Sequence, residues 1–341
     1  MKNVLFASTA LVAFGFAGTA FAQVSTSITL SGSAELGFTS VDDGGAQDGE
    51  IQLHNDFDLT WALTGVTDGG MAFGASGDWD EANVEEDTSA FISGSFGTIT
   101  IGDTDGAYDK AMIEIATGGL VDEADFYANG YSGLDGTGDA ESQVGRYDIT
   151  FGGVTLSASY EDGEDDGQEN VYGIGAGFNF GGFDFGVGYQ TSDGAALAVG
   201  DTIGIAEVPV AVAGTIDDAQ VYGITMGASF GAVDFNIGYE RAEADLETAG
   251  LVAGSAAGDD FEQDSLQASV QFDIGAGSLG INYHTAETDV DGGGEFDVDG
   301  YGIFYSMDLG GGANFVAAAG NLEVDGAADE TRFGAGIGMS F

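Results

Sequence analysis

Hydrophobic and polar residues alternate strictly along most of the chain. On one early segment Phe57, Leu59, Trp61 and Leu63 share a parity, and the positions between them are polar or small. The same pattern returns at the C-terminus, where the alternating apolar residues are Phe333, Ala335, Ile337, Met339 and Phe341. A period of two over segments of about ten residues is typical of β-strands with one apolar and one polar face. The pattern therefore predicts a chain built of amphipathic strands.

The connections between these segments are either very short or long. The short ones place glycine directly after a Phe, as at Phe151, Phe180 and Phe230, and the long ones are acidic. A Tyr follows each of these Phe residues nine positions later, a climb of roughly 23 Å along a strand tilted by about 40°. That distance matches the apolar band of an outer-membrane barrel with aromatic residues at both rims. A soluble β-sandwich or a solenoid is the alternative, but a solenoid requires a fixed repeat length, and these turns are unevenly spaced.

We predict an all-β fold, a transmembrane antiparallel β-barrel of about sixteen strands. The approximate strands are 27–38, 51–64, 71–80, 88–95, 97–103, 144–151, 154–160, 171–180, 183–191, 220–230, 233–241, 263–274, 278–286, 297–309, 313–322 and 331–341. An even number lets both termini meet on the short-turn side, so the sheet closes without an open edge.

The N-terminus carries a different pattern. A positive start precedes a short apolar run, and Ala20 and Ala22 are the small residues of a signal-peptidase site. We predict a cleaved secretory signal over residues 1–22, with cleavage between Ala22 and Gln23, and a single barrel domain over residues 23–341. A single membrane anchor is the alternative, although the run is short for one. Export would place the mature chain in the periplasm or outer membrane of a Gram-negative bacterium.

Composition adds a strong negative charge to this picture. The chain has 58 acidic and 5 basic residues, a formal net charge of −53 and no cysteine, while 43% of its residues are hydrophobic. Such a chain repels a phosphate backbone, which argues against nucleic-acid binding. Without thiols it has no disulfide, no thiolate metal site and no cysteine nucleophile. The hydrophobic share is too large for a disordered acidic tail.

Several segments resemble a known family. The run from Phe91 to Asp103, followed by Gly106-Ala107, resembles the hairpin before the constriction loop of sixteen-stranded general diffusion porins. The turn 65–70, the segment 308–313 and the terminal Phe341 are similar to the alphaproteobacterial branch of that family. The resemblance implies a homotrimer with one channel per barrel, set among outer-membrane lipid and lipopolysaccharide. It also implies that the barrel-assembly machinery reads Phe341 as its insertion signal.

The resemblance further implies that one long connection, about 103–143, folds back into the barrel as a constriction loop. These residues show no sustained alternation, and loops of this length are usually functional. Apolar residues such as Met112 and Ile115 would pack against the inner wall; an exposed surface loop is the alternative. The candidate constriction residues are Asp103, Asp105, Asp109, Lys110, Glu114, Asp122, Glu123 and Asp125.

The opposite wall lacks the arginine cluster that members of the family commonly place there. By parity only Arg146 and Arg332 among the basic residues face inwards, whereas Arg241 belongs at the outer rim. The candidate pore-wall residues are His54, Asp56, Asp58, Arg146, Asp148, Asp184, Asp234 and Arg332. Walls of one sign concentrate counter-ions, so we expect a cation-selective channel for small hydrophilic solutes and ions, open to passive diffusion.

The acidic external connections suggest a place for hard cations. Carboxylate oxygens suit Ca²⁺ and Mg²⁺, and the candidate ligands are Asp162, Glu164, Asp165, Asp166, Asp289 and Asp291. No EF-hand spacing is present, so a diffuse cation cloud is the alternative to specific sites. We expect no required cofactor.

Other functions remain open on the sequence alone. The chain has only two histidines, and no serine stands at a recognisable spacing from either, so we expect no enzyme activity. A substrate-specific channel would carry a line of aromatic residues in its lumen, but parity directs most of them outwards, with Phe304 as one exception. A structural or adhesive barrel plugged by its own loop is the third alternative.

Overall fold

The alternating segments form strands that pair with their neighbours in a single antiparallel sheet. A computed structural model describes residues 26–42, 49–79, 86–120, 134, 143–162, 170–197, 202–203, 208–209, 214–249, 255–325 and 329–341. The predicted signal peptide with its Ala22–Gln23 cleavage site lies outside these residues. The strands are β1 (Ser27–Asp42), β2 (Ile51–Val66), β3 (Ala72–Trp79), β4 (Glu86–Gly94), β5 (Gly97–Gly102), β6 (Gln143–Phe151), β7 (Val154–Asp162), β8 (Val171–Phe180), β9 (Phe183–Leu197), β10 (Thr202–Ile203), β11 (Val208–Pro209), β12 (Gly214–Phe230), β13 (Val233–Leu246), β14 (Asp259–Ile274), β15 (Gly277–Val290), β16 (Gly294–Gly310), β17 (Ala313–Val324) and β18 (Glu330–Ser340).

Sixteen of these strands close into a barrel, as predicted. The first strand pairs with the last, with Ser33 opposite Ser340 and Asp42 opposite Thr331, so the sheet has no free edge. The short strands β10 and β11 stand apart as a two-stranded sheet, and β9 pairs directly with β12. The sequence did not predict this small hairpin, because two residues are too few to show a period.

Tight turns join the strands at one end, which we call the short-turn end. At the β8–β9 turn Gly181 and Gly182 have φ of 65° and 89°. A two-residue turn that matches strand twist needs positive φ at both central positions, which glycine adopts without strain. The Phe-Gly-Gly pattern is therefore the local cause of the turn. No helix in the described part of the chain is long and apolar enough to span a membrane.

Large apolar side chains cover the outer face between two aromatic rows. Phe151, Phe180 and Phe230 lie beside the short turns, and Tyr160 and Tyr189 lie at the opposite rim; all are exposed in the isolated chain. An apolar surface of this extent calls for an apolar partner. The two rows bound a band of the kind that membrane barrels present to lipid.

Beyond the tyrosine row, at the long-loop end, the strands continue but their polarity reverses. On β13 the outward positions hold Glu243 and Asp245, whereas Ala242, Ala244 and Leu246 face inwards and are buried. This reversal explains why several strands are longer than predicted. The prediction followed outward apolar residues, which end at the tyrosines, whereas the backbone hydrogen bonds between strands continue beyond them. Strand β9, for example, was predicted over 183–191 and extends to Leu197.

The reversed zone brings carboxylates opposite one another on neighbouring strands. We call its outward acids on β13 to β16 the acidic collar, and they are Glu243, Asp245, Asp260, Glu262, Asp264, Glu287, Asp289, Glu295, Asp297 and Asp299. Glu243 lies opposite Glu262, and Glu262 opposite Asp289, with their side chains on the same face. Like charges directly across a ladder are destabilising. The collar is therefore held together against its own repulsion by strand pairing.

One base lies within the collar. Arg241 forms ion pairs with Glu243 and Glu262 at 2.6 Å each and with Asp264 at 3.0 Å, as expected for a residue at the outer rim. Asp245, two residues beyond Glu243, takes part in none of these three ion pairs. Burial, followed by repulsion from Asp260, raises the pKa of the Asp245 carboxyl above its ordinary value.

Candidate constriction of the barrel lumen

The segment after β5 turns into the barrel and is fixed to the inner wall by its backbone. Three amide N–H groups donate to wall hydroxyls: Ala107 to Ser159 Oγ at 2.8 Å, Ile113 to Thr225 Oγ1 at 2.9 Å, and Ala116 to Ser269 Oγ at 2.7 Å. These hydroxyls belong to β7, β12 and β14, so the segment runs along the wall rather than across the middle. Buried backbone groups require such partners, and inward Ser and Thr on the strands provide them.

The same segment continues to the strands that close the barrel. The ring of Phe304 on β16 lies under Gly118, and Leu120 packs between Gly37 of β1 and Gly336 of β18. Asn282 Nδ2 donates to the carbonyl oxygen of Ala116 at 3.2 Å. The inner segment, residues 103–120, therefore follows the barrel wall from β7 round to β1, an arc of eleven of the sixteen strands. Phe304 is 4% exposed, so it is not a free stacking surface.

Glycines on the wall make room for this segment. A Cβ added at Gly175 would lie 2.7 Å from Ala111 Cβ and still closer to the carbonyl oxygen of Ala107. A Cβ at Gly186 would meet the carbonyl oxygen of Ala111 in the same way. Glycine is used where two backbones approach closely. The apolar residues expected to pack on the inner wall do so there, since Met112 and Ile115 are buried.

The charged residues of the inner segment project away from the wall. Lys110, in a one-turn 3₁₀ helix (Asp109–Ala111), is exposed, as are Asp103 and Glu114, while Asp105 and Asp109 are half-buried. The buried residues of the inner segment recur with a helical spacing and form its wall side. They are Tyr108, Ala111, Met112 and Ile115. The predicted constriction residues Asp122, Glu123 and Asp125 lie outside the described residues.

Arg146 faces inwards, as its parity requires, but it is covered. The side chain is 3% exposed, its Nε donates to Asp148 Oδ2 at 3.0 Å, and its Nη1 donates to Thr104 Oγ1 at 3.1 Å and to the carbonyl oxygen of Asp105. Ser157 Oγ also donates to Asp148, at 2.6 Å. The sequence placed Arg146 on the pore wall. In the structure it holds the start of the inner segment to the wall through Thr104 and Asp105, and Asp148 balances its charge.

The wall on β1 and β2, where the inner segment ends, is acidic. His54 Nε2 lies 3.5 Å from Glu35 Oε2, and Ser33 Oγ donates to Asp58 at 2.9 Å. Asp56 is directly opposite Glu35 across the ladder and points the same way. The sequence candidates on this wall omitted Glu35, although its polar parity on β1 carried the signal.

Acids also line the short-turn end of the lumen. Asp184 accepts a hydrogen bond from Asn179 Nδ2 at 2.9 Å, and Asp234 faces inwards two strands away, on β13. Asp273 and Asp308 share this inward parity and are exposed; sequence reasoning missed both because each is the last polar residue before a turn. Asp273 and Asp308 are therefore further candidates for residues that line the permeation path.

The remaining inward base is also balanced. Arg332 on β18 pairs with Glu330 on the same strand. Among the bases of the described barrel, only Lys110 is both exposed and directed to the lumen without an ion pair. Within the described residues no group of three or more acidic or histidine side chains is arranged to hold a metal ion.

The geometry of a closed barrel with an inner segment is matched by comparisons with known proteins. A family model described as Gram-negative porin matches residues 7–327. A porin from Rhodobacter capsulatus is 30% identical over 273 residues, 76% of this chain and 84% of that protein. The chain belongs to the Gram-negative porin family. It is therefore a channel protein of the outer membrane, and the recognition of the family from the sequence is confirmed.

Solved porin structures share the fold. A porin refined at 1.8 Å resolution matches with a TM-score of 0.71 and 23% identity, covering 92% of this porin and all of that chain. A trimer form of OmpT from Vibrio cholerae matches with 0.68 and 13%, over 93% of this porin and 99% of that chain. An anion-selective porin from Comamonas acidovorans matches with 0.68 and 15%, over 93% and 100%. At these identities the likeness concerns the fold alone.

Proposed function

We propose that this porin is a general diffusion channel that prefers cations and carries no catalytic activity. The observation that supports the preference is the state of the bases in the described lumen. Arg146 is buried against Asp148 and Arg332 is paired with Glu330, which leaves Lys110 as the one exposed cation. Permeating ions therefore meet carboxylates at every described level of the channel.

The acidic levels follow one another along the axis. Asp56 lies on the wall, Asp103 and Glu114 on the inner segment, and Asp184 near the short turns, whereas Glu35 beside Asp56 is buried. Low-dielectric walls of one sign focus the potential and raise the local concentration of counter-ions. The same potential slows anionic solutes.

The comparison with an anion-selective neighbour shows why the fold cannot decide the preference. That protein shares the barrel with this porin, so ion preference must come from side chains in the lumen. A sugar-specific channel is less favoured, because the inward ring of Phe304 lies beneath Gly118 and offers no stacking surface to water.

Reversal potentials in a planar bilayer test the proposal. Purified protein is inserted with a KCl gradient across the membrane, and the sign of the zero-current potential reports which ion passes faster. We expect a potassium preference that weakens as salt rises, because screening shortens the reach of the carboxylates. A chloride preference contradicts the proposal, and an absence of conductance steps favours a plugged barrel instead.

We also propose that this porin assembles as a homotrimer, as the trimeric neighbour suggests. The outer face of β1 and β2 is exposed and apolar in the isolated chain, with Leu53 at 93% and Ile28 at 75% exposure. Lipid and lipopolysaccharide would cover the rest. Chemical cross-linking in native membranes tests the number of subunits, and a monomer as the largest species contradicts it.

Two features of the chain ends and loops complete the proposal. Residues 1–22 direct export, and Phe341, 75% exposed at the end of β18, is the residue that the barrel-assembly machinery would read. Calcium or magnesium would gather diffusely around the collar acid Asp289 and the nearby Asp291. The other candidate ligands fall in a connection whose side chains lie outside the described residues, namely Asp162, Glu164, Asp165 and Asp166.

A further inference from the structure

The most completely buried aromatic side chain of the inner segment makes a hydrogen bond to a buried acid of the wall. Tyr108 and Glu240 are both 0% exposed, and the Tyr108 hydroxyl donates to Glu240 Oε2. A buried carboxylate is costly unless it is hydrogen-bonded. The pair therefore joins two groups from distant parts of the chain that each need a partner.

The wall is shaped to admit this phenol. Gly175, Gly188, Gly223 and Glu240 lie opposite one another in one row across β8, β9, β12 and β13. A Cβ at Gly188 would lie 2.8 Å from Tyr108 Cδ2, and one at Gly223 would lie 2.7 Å from Tyr108 Oη. We call the three glycines the glycine track. It ends at Glu240, whose carboxyl oxygen accepts the hydrogen bond from the Tyr108 hydroxyl.

We propose that the Tyr108–Glu240 hydrogen bond is the positioning contact that fixes which face of the 3₁₀ turn meets the water. The turn has a wall face (Tyr108, Ala111, Met112) and a water face that carries Lys110. A rotation about the local axis that lifts Tyr108 from the track also turns Lys110 towards the wall. Tyr108 and Glu240 thus act on permeation through Lys110 and its neighbouring acids, without meeting the solute themselves.

The selectivity part of this inference rests on the proposed cation-preferring channel; the positional part does not. A single-cysteine reporter separates them, because the natural chain has no cysteine. Met112→Cys places a thiol on the buried wall face, where Met112 is 8% exposed. Lys110→Cys is the matched control on the water face. Both are treated with a charged, water-soluble maleimide in the folded, membrane-inserted protein.

In the Met112→Cys background, Tyr108→Phe should raise the labelling rate about tenfold or more, since a buried carboxyl group loses this hydrogen-bond donor. Glu240→Gln keeps an acceptor oxygen, so its labelling rate should stay within about threefold of the parent. Labelling of Lys110→Cys should be fast throughout. Tyr160→Phe, on the outer wall, should change nothing. Equal labelling of Met112→Cys with and without Tyr108→Phe overturns the proposal.

Thr225→Val provides a second route if Tyr108→Phe fails to fold. It removes the hydroxyl that accepts from the Ile113 amide, and it should also raise Met112→Cys labelling. Ion selectivity is measured by the reversal potential. Compared with the parent, the reversal potential should shift in Tyr108→Phe, whereas in Glu240→Gln it should stay near the parent value. Faster labelling with an unchanged reversal potential in a cation-selective parent overturns the positioning role. A parent without cation preference refutes the proposed function, while the labelling result still decides the contact.

Discussion

The close approach of the inner segment to Gly175 yields a quantitative test of how the channel width is set. Gly175→Ala adds one methyl group that points into the barrel, 2.7 Å from Ala111 Cβ. Carbon atoms in contact prefer a separation of about 3.5–4.0 Å, so the segment must retreat by on the order of 1 Å or the wall must bulge. Overpacking of this kind costs about 1–3 kcal/mol.

The expected result is a narrower channel, because the inner segment has free space only on its lumen side. Single-channel conductance in a planar bilayer should fall, and uptake of neutral sugars in a liposome-swelling assay should slow most for the largest sugar. Gly177→Ala is the matched control. It lies two residues along on the same strand and face, and its nearest neighbour would be the Phe185 carbonyl oxygen at 3.9 Å.

The conductances of Gly175→Ala and Gly177→Ala together show whether the close contact at Gly175 sets the channel width. Conductance equal to the parent in Gly175→Ala would refute the inference that the glycines set the position of the inner segment. An equal loss in Gly177→Ala would show that any inward methyl group has the same effect, which the distances do not allow.

Three further predictions concern charge. Arg146→Leu should destabilise the barrel by about 3–5 kcal/mol in thermal unfolding, because it leaves Asp148 without its buried partner; the double variant with Asp148→Leu should recover most of the loss, and an equally unstable double variant would contradict the pairing. Lys110→Glu should increase the potassium preference measured by reversal potential, whereas a shift towards chloride would contradict the lumen assignment. Raising salt from about 0.01 to 0.1 M, which shortens the screening length from about 30 to 10 Å, should raise the thermal midpoint by weakening collar repulsion. Acidification should act in the same direction as the pH falls towards 3.8, the ordinary value of the Asp245 carboxyl, because its folded-state pKa is raised above that value and the folded chain binds this proton more tightly; a midpoint that falls on this approach would contradict it.

The strands were predictable because lipid and water impose opposite demands on successive residues. Leu266, Ala268 and Val270 alternate with Gln267 and Ser269, and each side chain lies on the side that its polarity requires. The rule fails above the tyrosine row, where water replaces lipid outside and inward residues such as Ala242, Ala244 and Leu246 are apolar and buried. The predicted end of β9 was therefore too early and the predicted start of β12 too late, although the number of barrel strands was right.

The constriction was less predictable because parity gives a direction without saying what covers a residue. Arg146 is inward by parity, and only the fold shows that Asp105 and Thr104 close over it. Tyr108 was absent from the candidates, since a charge-based search ignores aromatic residues in loops. The helical spacing of Tyr108, Ala111, Met112 and Ile115 was the available signal. The glycine track comes from three separate strands and has no local signature.

The reversal of polarity above the tyrosine row determines how high the barrel stands. From Tyr239 to Leu246 the strand continues for about another 18 Å along the axis, given its rise and a tilt near 40°. Regular hydrogen-bonded sheet thus carries the mouth through the headgroup layer and out past it, surrounded by carboxylates. Anionic macromolecules approaching the cell meet this rigid negative rim first, at a distance from the bilayer, while metal ions and protonated amines accumulate there. If the channel prefers cations as proposed, the exclusion of large anions begins outside the membrane, before the solute reaches the constriction.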